Sequence, residues 1–251
     1  MKQGTYLGTC RNGDLGYALR MDFFEAVTKR RSIRKYTDEL VPDEVIDRAF
    51  DAAILAPNSS NTQTWDFHWV KTAEKKKSLI EYCLSQSAAR TAQHLIVVSA
   101  DPAHWRRSQQ PLIKWVESVN APKVVQLYYK KLIPITYRWG FLNSWAFIKW
   151  LSFFITGFIR PITRGPNTRR DLQEVAIKSA ALAAENFVLA ISAQGFSSCM
   201  MEGFDECRVK KLLKLPRSAR VAMVISVGRE SDRGTWGPQF RLPKSEVVHL
   251  V

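Results

Sequence analysis

Residues 171–194 constrain the fold more than any other part of this 251-residue sequence. They read as one long helix, rich in alanine and closed by Gly195. Ala176, Ser179, Ala180, Ala183, Ala184 and Ala190 are small enough to let neighbouring elements approach closely. A helix built this way belongs at the centre of the core or at a subunit interface.

Other segments fall around it in a regular order. Residues 22–30 place Phe23, Phe24, Ala26 and Val27 on one helical face. Pro42 starts a second helix, with Asp43 and Glu44 at its positive end. Val45, Ile46, Ala49, Phe50, Ala53 and Ile54 recur at helical spacing, and Pro57 stops it. A polar loop "NSSNTQ" follows, then the alternating strand "WDFHWVKT", a helix over residues 75–83 and the apolar strand "HLIVVSA". Near the end "ARVAMVISVG" reads as another buried strand. This order predicts an α+β or α/β sandwich.

Composition narrows the partners without choosing among them. With 37 Lys and Arg against 23 Asp and Glu, the net charge of +14 favours polyanions, anionic cofactors or an anionic membrane face. Cys10, Cys83, Cys199 and Cys207 show no C-x-x-C pair, which predicts reduced thiols and a cytoplasmic setting. The histidines lie far apart, so no metal site is expected. Residues 1–20 carry little apolar periodicity and are expected to be a poorly ordered extension, ahead of a domain over residues 21–251.

The stretch from about 105 to 166 differs in kind. Within it, residues 141–159 contain nineteen positions with Lys149 as the only charge, and Lys130, Lys131, Arg138, Arg160, Arg164, Arg169 and Arg170 flank them. Asn143, Ser144, Lys149, Ser152 and Thr156 make a poor membrane span. Three roles stand open for this insertion: a lid, a dimer-packing element, or a membrane-surface segment that would leave the protein membrane-associated.

Four short motifs carry chemistry. "RRSIRKY" gathers Arg30, Arg31, Arg34 and Lys35 around Ser32, which by itself is as well explained by a solvated helix end. "PNSSNTQTW" follows about twenty-five residues later, "MMEGFD" lies after the long helix, and the chain ends with Arg241, Leu242 and Pro243 before "SEVVH". In this order the motifs resemble the FMN-dependent nitroreductase family over about residues 22–72 and 171–251. The resemblance implies an α+β three-layer sandwich, its central, mostly antiparallel sheet flanked by helices, in a domain-entwined homodimer.

It also implies a site. Arg30, Arg31 and Ser32 would hold the phosphate of FMN, a dianion suited to paired guanidinium hydrogen bonds. Arg34 would lie near the N1 and O2 edge of the ring and stabilise the reduced flavin, with Lys the commoner residue there. Pro57, Asn58, Ser59, Asn61 and Gln63 would contact the flavin of the other subunit, and Thr64 stands where the family usually has proline. Met201, Glu202 and Gly203 would bring backbone N–H groups to flavin N5, with Met200 and Met201 in place of a proline-containing stretch. Arg241 would add a late phosphate contact, while Gln239 replaces a usual basic residue. The implied activity is ping-pong reduction of nitroaromatic, quinone or related acceptors by NADH or NADPH, with no catalytic side chain required beyond the flavin.

Two other readings accompany this one. A flavin reductive dehalogenase of the iodotyrosine deiodinase type shares the implied fold and would use the insertion as a lid. A basic nucleic-acid- or membrane-binding protein without catalysis would account for the charge alone; the flavoenzyme reading expects no nucleic-acid partner.

Overall fold

The structure, a computed structural model, describes residues 21–138, 144–163 and 165–251. The extension expected over residues 1–20, and the first residues of the apolar run at 141–159, lie outside the described residues. Helices α1 (Phe23–Lys29) and α2 (Asp43–Ile54) precede β1 (Trp65–Trp69), and α3 (Ala73–Tyr82) and α4 (Ser87–Thr91) lead to β2 (His94–Ala100). The insertion supplies α5 (Trp105–Ser118), α6 (Lys123–Leu127), α7 (Ile133–Tyr137) and α8 (Ser144–Ile159), with a π-helical stretch at Tyr128–Leu132. Then come α9 (Arg169–Ala193), β3 (Ser197–Met201), α10 (Glu206–Leu212), β4 (Arg220–Gly228) and α11 (Lys244–Val247).

The strands form one sheet in the order β1-β2-β4-β3, and every pairing is antiparallel. Both faces are covered. Ile96 and Val98 of β2 and Ile225 and Val227 of β4 pack with α2 and α9, whereas Leu95, Val97 and Val224 pack with residues of α3, α4 and α10. A strand buried on both faces needs apolar residues at consecutive positions, which is why "HLIVVSA" reads as an unbroken run. The result is the expected three-layer α+β sandwich.

The long helix begins two residues before its expected start because Thr168 caps it. The Thr168 hydroxyl accepts from the Asp171 N–H, and the Asp171 carboxylate accepts in return from the Thr168 N–H. Ala176, Ala180, Ala183 and Ala184 are buried where α2 crosses α9. Phe187, fully buried, fills the space these alanines leave and packs against Phe50 and Phe67. By length and composition α9 could cross a membrane, but half of its most apolar window is buried within this core.

Some apolar faces are not used inside the chain. In α1 only Ala26 is buried, while Phe23, Phe24 and Val27 face solvent. Ile54, expected on the core face of α2, is also exposed. At the other end every residue of 236–251 is exposed, including Trp236, Phe240, Leu242, Val247 and Leu250.

Candidate functional site

The basic motif leaves α1 and is pinned as an extended segment across the end of the sheet. Ile33 donates its N–H to the Ser198 carbonyl at 3.0 Å, next to a parallel bridge between Ser32 and Ser198. Arg34 donates its backbone N–H to the Gly234 carbonyl at 2.8 Å. Tyr36 then buries its ring against Gly228, with its hydroxyl 2.9 Å from Ser226 Oγ and donating to the Ser226 carbonyl at 3.1 Å. Burial drives the Tyr36 phenol far above its ordinary pKa, so it stays neutral. Ile33 and Tyr36 are buried while Arg34 and Lys35 between them are exposed, a three-residue spacing that regular strand alternation would not give and that the two anchoring contacts impose.

A cavity of about 480 Å³ opens beside this segment, lined by Arg30, Arg31, Ser32, Arg34 and residues 235–241. With Arg241 it gathers four guanidinium groups, and no carboxylate lines it. Arg31 is oriented by the Gly237 carbonyl, to which its Nη2 donates at 2.7 Å. Arg30 is partly sheltered, its Nε 3.9 Å from the Glu185 carboxylate. Such a surplus of fixed donors suits a multiply charged oxyanion.

A second cavity, also about 480 Å³, shares Arg34 and Trp236 with the first. Its other walls include Gln86, Cys199, Met201 and Glu202. The turn after β3 is held from below, since Gln86 Nε2 donates to the Gly203 carbonyl at 2.7 Å and to the Cys83 carbonyl at 3.0 Å. A Cβ at Gly203 would lie 3.2 Å from Gln86 Nε2, so the glycine lets this amide close on the turn. Met201 belongs to the buried core and, with Glu202, also borders the cavity. Burial pushes the Cys199 thiol up, opposed by the charges of Arg34 and Arg30.

The polar loop lies elsewhere on the chain. Ser60, Asn61 and Gln63 have φ of 56°, 51° and 47°, left-handed values that Asn tolerates better than most residues, while Thr62 between them is right-handed at −80°. Asn58 Oδ1 accepts from the Gln63 N–H at 2.9 Å, and the Thr62 hydroxyl donates to the Ser59 carbonyl at 2.8 Å. These bonds shape the loop without the proline expected at position 64, where Thr64 is buried. The insertion braces it: Ser60 Oγ lies 2.5 Å from the Tyr128 hydroxyl, and Arg107 donates to the Gln63 and Trp65 carbonyls. Asn61 and Gln63 line a cleft of about 640 Å³ with Asp66, Arg107 and Trp115, which shares no residue with the arginine cavity.

One chain therefore brings together Arg30, Arg31, Ser32, Arg34 and Arg241, sets Met201 and Glu202 beside them, and keeps Pro57, Asn58, Ser59, Asn61 and Gln63 apart. Sequence reasoning missed Trp236 and Gln86. Trp236 had a signal, a large aromatic in the turn-rich "DRGTWGPQF" just before Arg241, whereas Gln86 had none.

Comparison with known proteins bears on the family and the fold. The family model described as Nitroreductase family matches residues 27–229. Protein DrgA of Synechocystis is 28% identical over 214 residues, covering 84% of this chain and 86% of that protein. An NADH dehydrogenase of Thermus thermophilus is 25% identical over 232 residues, 91% of this chain and 95% of that one. Among solved structures, a protein of Exiguobacterium sibiricum described as a nitroreductase in complex with FMN superposes with a TM-score of 0.68. It is 20% identical and covers 93% of this chain and 99% of its own, a likeness of fold.

Proposed function

The chain belongs to the nitroreductase family, and from that premise we propose that it is an FMN-dependent oxidoreductase using NADH or NADPH to reduce nitroaromatic, quinone or related acceptors. The observation that carries this reading is the cavity with four arginines and no lining carboxylate, which shares Arg34 and Trp236 with a second cavity at the turn after β3. When bound, FMN would supply the redox chemistry, hydride transfer between nicotinamide and acceptor.

The residues present fit such a group. Arg30, Arg31, Ser32 and Arg241 would hold its phosphate, with Arg31 kept in place by the Gly237 carbonyl. Arg34, at the junction of the two cavities, is the cation available to the pyrimidine edge of the ring. The turn at Glu202 and Gly203, fixed by Gln86, would offer main-chain amides to the reactive face.

Residues 21–251 act in this reading as one FMN-binding domain, and the working unit is a homodimer. The polar loop lines no part of the arginine cavity of its own chain, so in this reading Asn58, Ser59, Asn61 and Gln63 would reach a flavin held by the partner. The uncovered Phe23 and Phe24, and the exposed apolar residues of 236–251, support a second chain that covers them. Steady-state rates measured with FMN-loaded protein, NADH or NADPH, and a nitroaromatic or quinone should give parallel double-reciprocal lines. Oxidation of neither nicotinamide by the loaded protein, with either acceptor, would refute the assignment.

A further inference from the structure

Helix α8 reverses the usual arrangement of a surface helix. Its one charged residue, Lys149, is buried at 4% exposure and donates from Nζ to the Thr136 carbonyl at 2.8 Å. Desolvation lowers the Lys149 pKa, partly offset by the Asp171 carboxylate. Trp145, on the same inward face, donates its indole N–H to the Ile135 carbonyl at 3.0 Å.

The outward face is apolar. Phe147, Trp150, Phe154 and Phe158 are all exposed and recur at i, i+3, i+7 and i+11. Their rings form a ladder, with centroid separations of 6.0, 5.5 and 4.9 Å between successive members. Ile148, Ile155 and Ile159 widen the patch. A contiguous aromatic surface of this kind marks a contact with something other than water.

Charge identifies the occupant. Residues 118–170 contain nine Lys or Arg and no Asp or Glu, and Arg138 and Arg160, beyond either end of α8, are exposed. A contact of α8 with its own copy would set two such cationic segments against each other. An anionic lipid surface accepts both features, rings into the acyl boundary and cations among the headgroups. At 16 residues α8 is about 24 Å long, short of the roughly 30 Å hydrocarbon core, and Lys149 bonds it to the protein midway along. It is therefore suited to lie on a bilayer rather than to cross one.

We propose that α8 is a docking face for anionic membrane surfaces. The inference does not depend on what the arginine cavity holds. Because Tyr128 and Tyr137 of the insertion approach Ser60 and Thr62, docking through α8 would bring the polar loop close to the lipid.

The test is flotation of the full-length protein with vesicles of phosphatidylcholine alone, or of phosphatidylcholine and phosphatidylglycerol in equal parts, at low and high salt. Recovery with the anionic vesicles should exceed recovery with neutral ones by roughly tenfold and fall as salt is raised. The combined Phe147→Ser, Phe154→Ser and Phe158→Ser variant should lose that recovery while keeping the wild-type melting temperature and elution volume. Arg138→Glu with Arg160→Glu, at exposed positions, should independently abolish the anionic preference. Equal recovery with both vesicle types, flotation of either variant like wild type, or a change in oligomeric size in the serine variant would overturn the proposal, the last by assigning the face to a subunit contact.

Discussion

The guanidinium carbon of Arg34 lies 4.5 Å from the centroid of the Trp236 ring. This contact joins the start of the domain to its last loop, and the backbone bond from Arg34 to Gly234 reinforces it. Both side chains border the two cavities, so the pair forms the wall where a phosphate end and a ring end would meet. A cation over an exposed indole is worth about 0.5–1 kcal/mol. Trp236→Leu should therefore raise the Kd for FMN roughly two- to fivefold. Combined with Arg34→Ala it should cost less than the sum of the two single changes, as measured by quenching of flavin fluorescence.

Arg30→Ala tests the phosphate end. Loss of a hydrogen bond to a charged group costs about 1.5–3 kcal/mol, so FMN retention should weaken by roughly ten- to a hundredfold. Unchanged flavin occupancy after exhaustive dialysis would contradict the placement of the phosphate beside this residue.

Gly228→Ala tests the support beneath the site. A Cβ there would stand 2.6 Å from Cγ of the buried Tyr36 ring, which has no room to retreat. Overpacking of this kind costs about 1–3 kcal/mol, and the melting temperature should fall accordingly. Flavin affinity should weaken as well, because Tyr36 anchors the segment that carries Arg34. An unaltered melting curve would show that the segment is not locked in this way.

Acid should destabilise the fold through its half-buried histidines. Burial lowers the pKa of His68, whose Nε2 lies 2.8 Å from Ser99 Oγ. His94 is lowered for the same reason. The unfolded chain takes up these protons first, so the stability contributed by the neutral rings is present above about pH 6.5 and is lost as pH falls through the lower folded-state values. Melting temperature should drop between about pH 7.5 and pH 5, and His68→Gln should flatten part of that slope. An identical slope in the variant would remove His68 from the account.

The parts of this molecule legible in its sequence are those fixed by local pattern. The long helix α9 announces itself through its alanines and closing glycine, and β2 and β4 through unbroken apolar runs that two-sided burial requires. Arg30, Arg31, Ser32, Arg34 and Arg241 were readable as one group because their motifs resemble a family. Gln86 was not, because tertiary packing alone brings it to the second cavity, and Trp236 offered only its place as a large aromatic shortly before Arg241. Lys149 looked like a polar flaw in an apolar helix, whereas its role is to hold that helix down by its inward face. The outward exposure of Phe23 and Phe24 was equally hidden, since a helical face in sequence says which residues share a side and not what covers it.

The most direct test is the cofactor itself: the visible spectrum of the purified protein after incubation with excess FMN and gel filtration, with the chromophore then released by heat and identified by mass. The account predicts a flavin absorbance equimolar with the chain and a released species with the mass of FMN. A protein that emerges folded and colourless, and does not quench FMN fluorescence at any concentration tried, would contradict it.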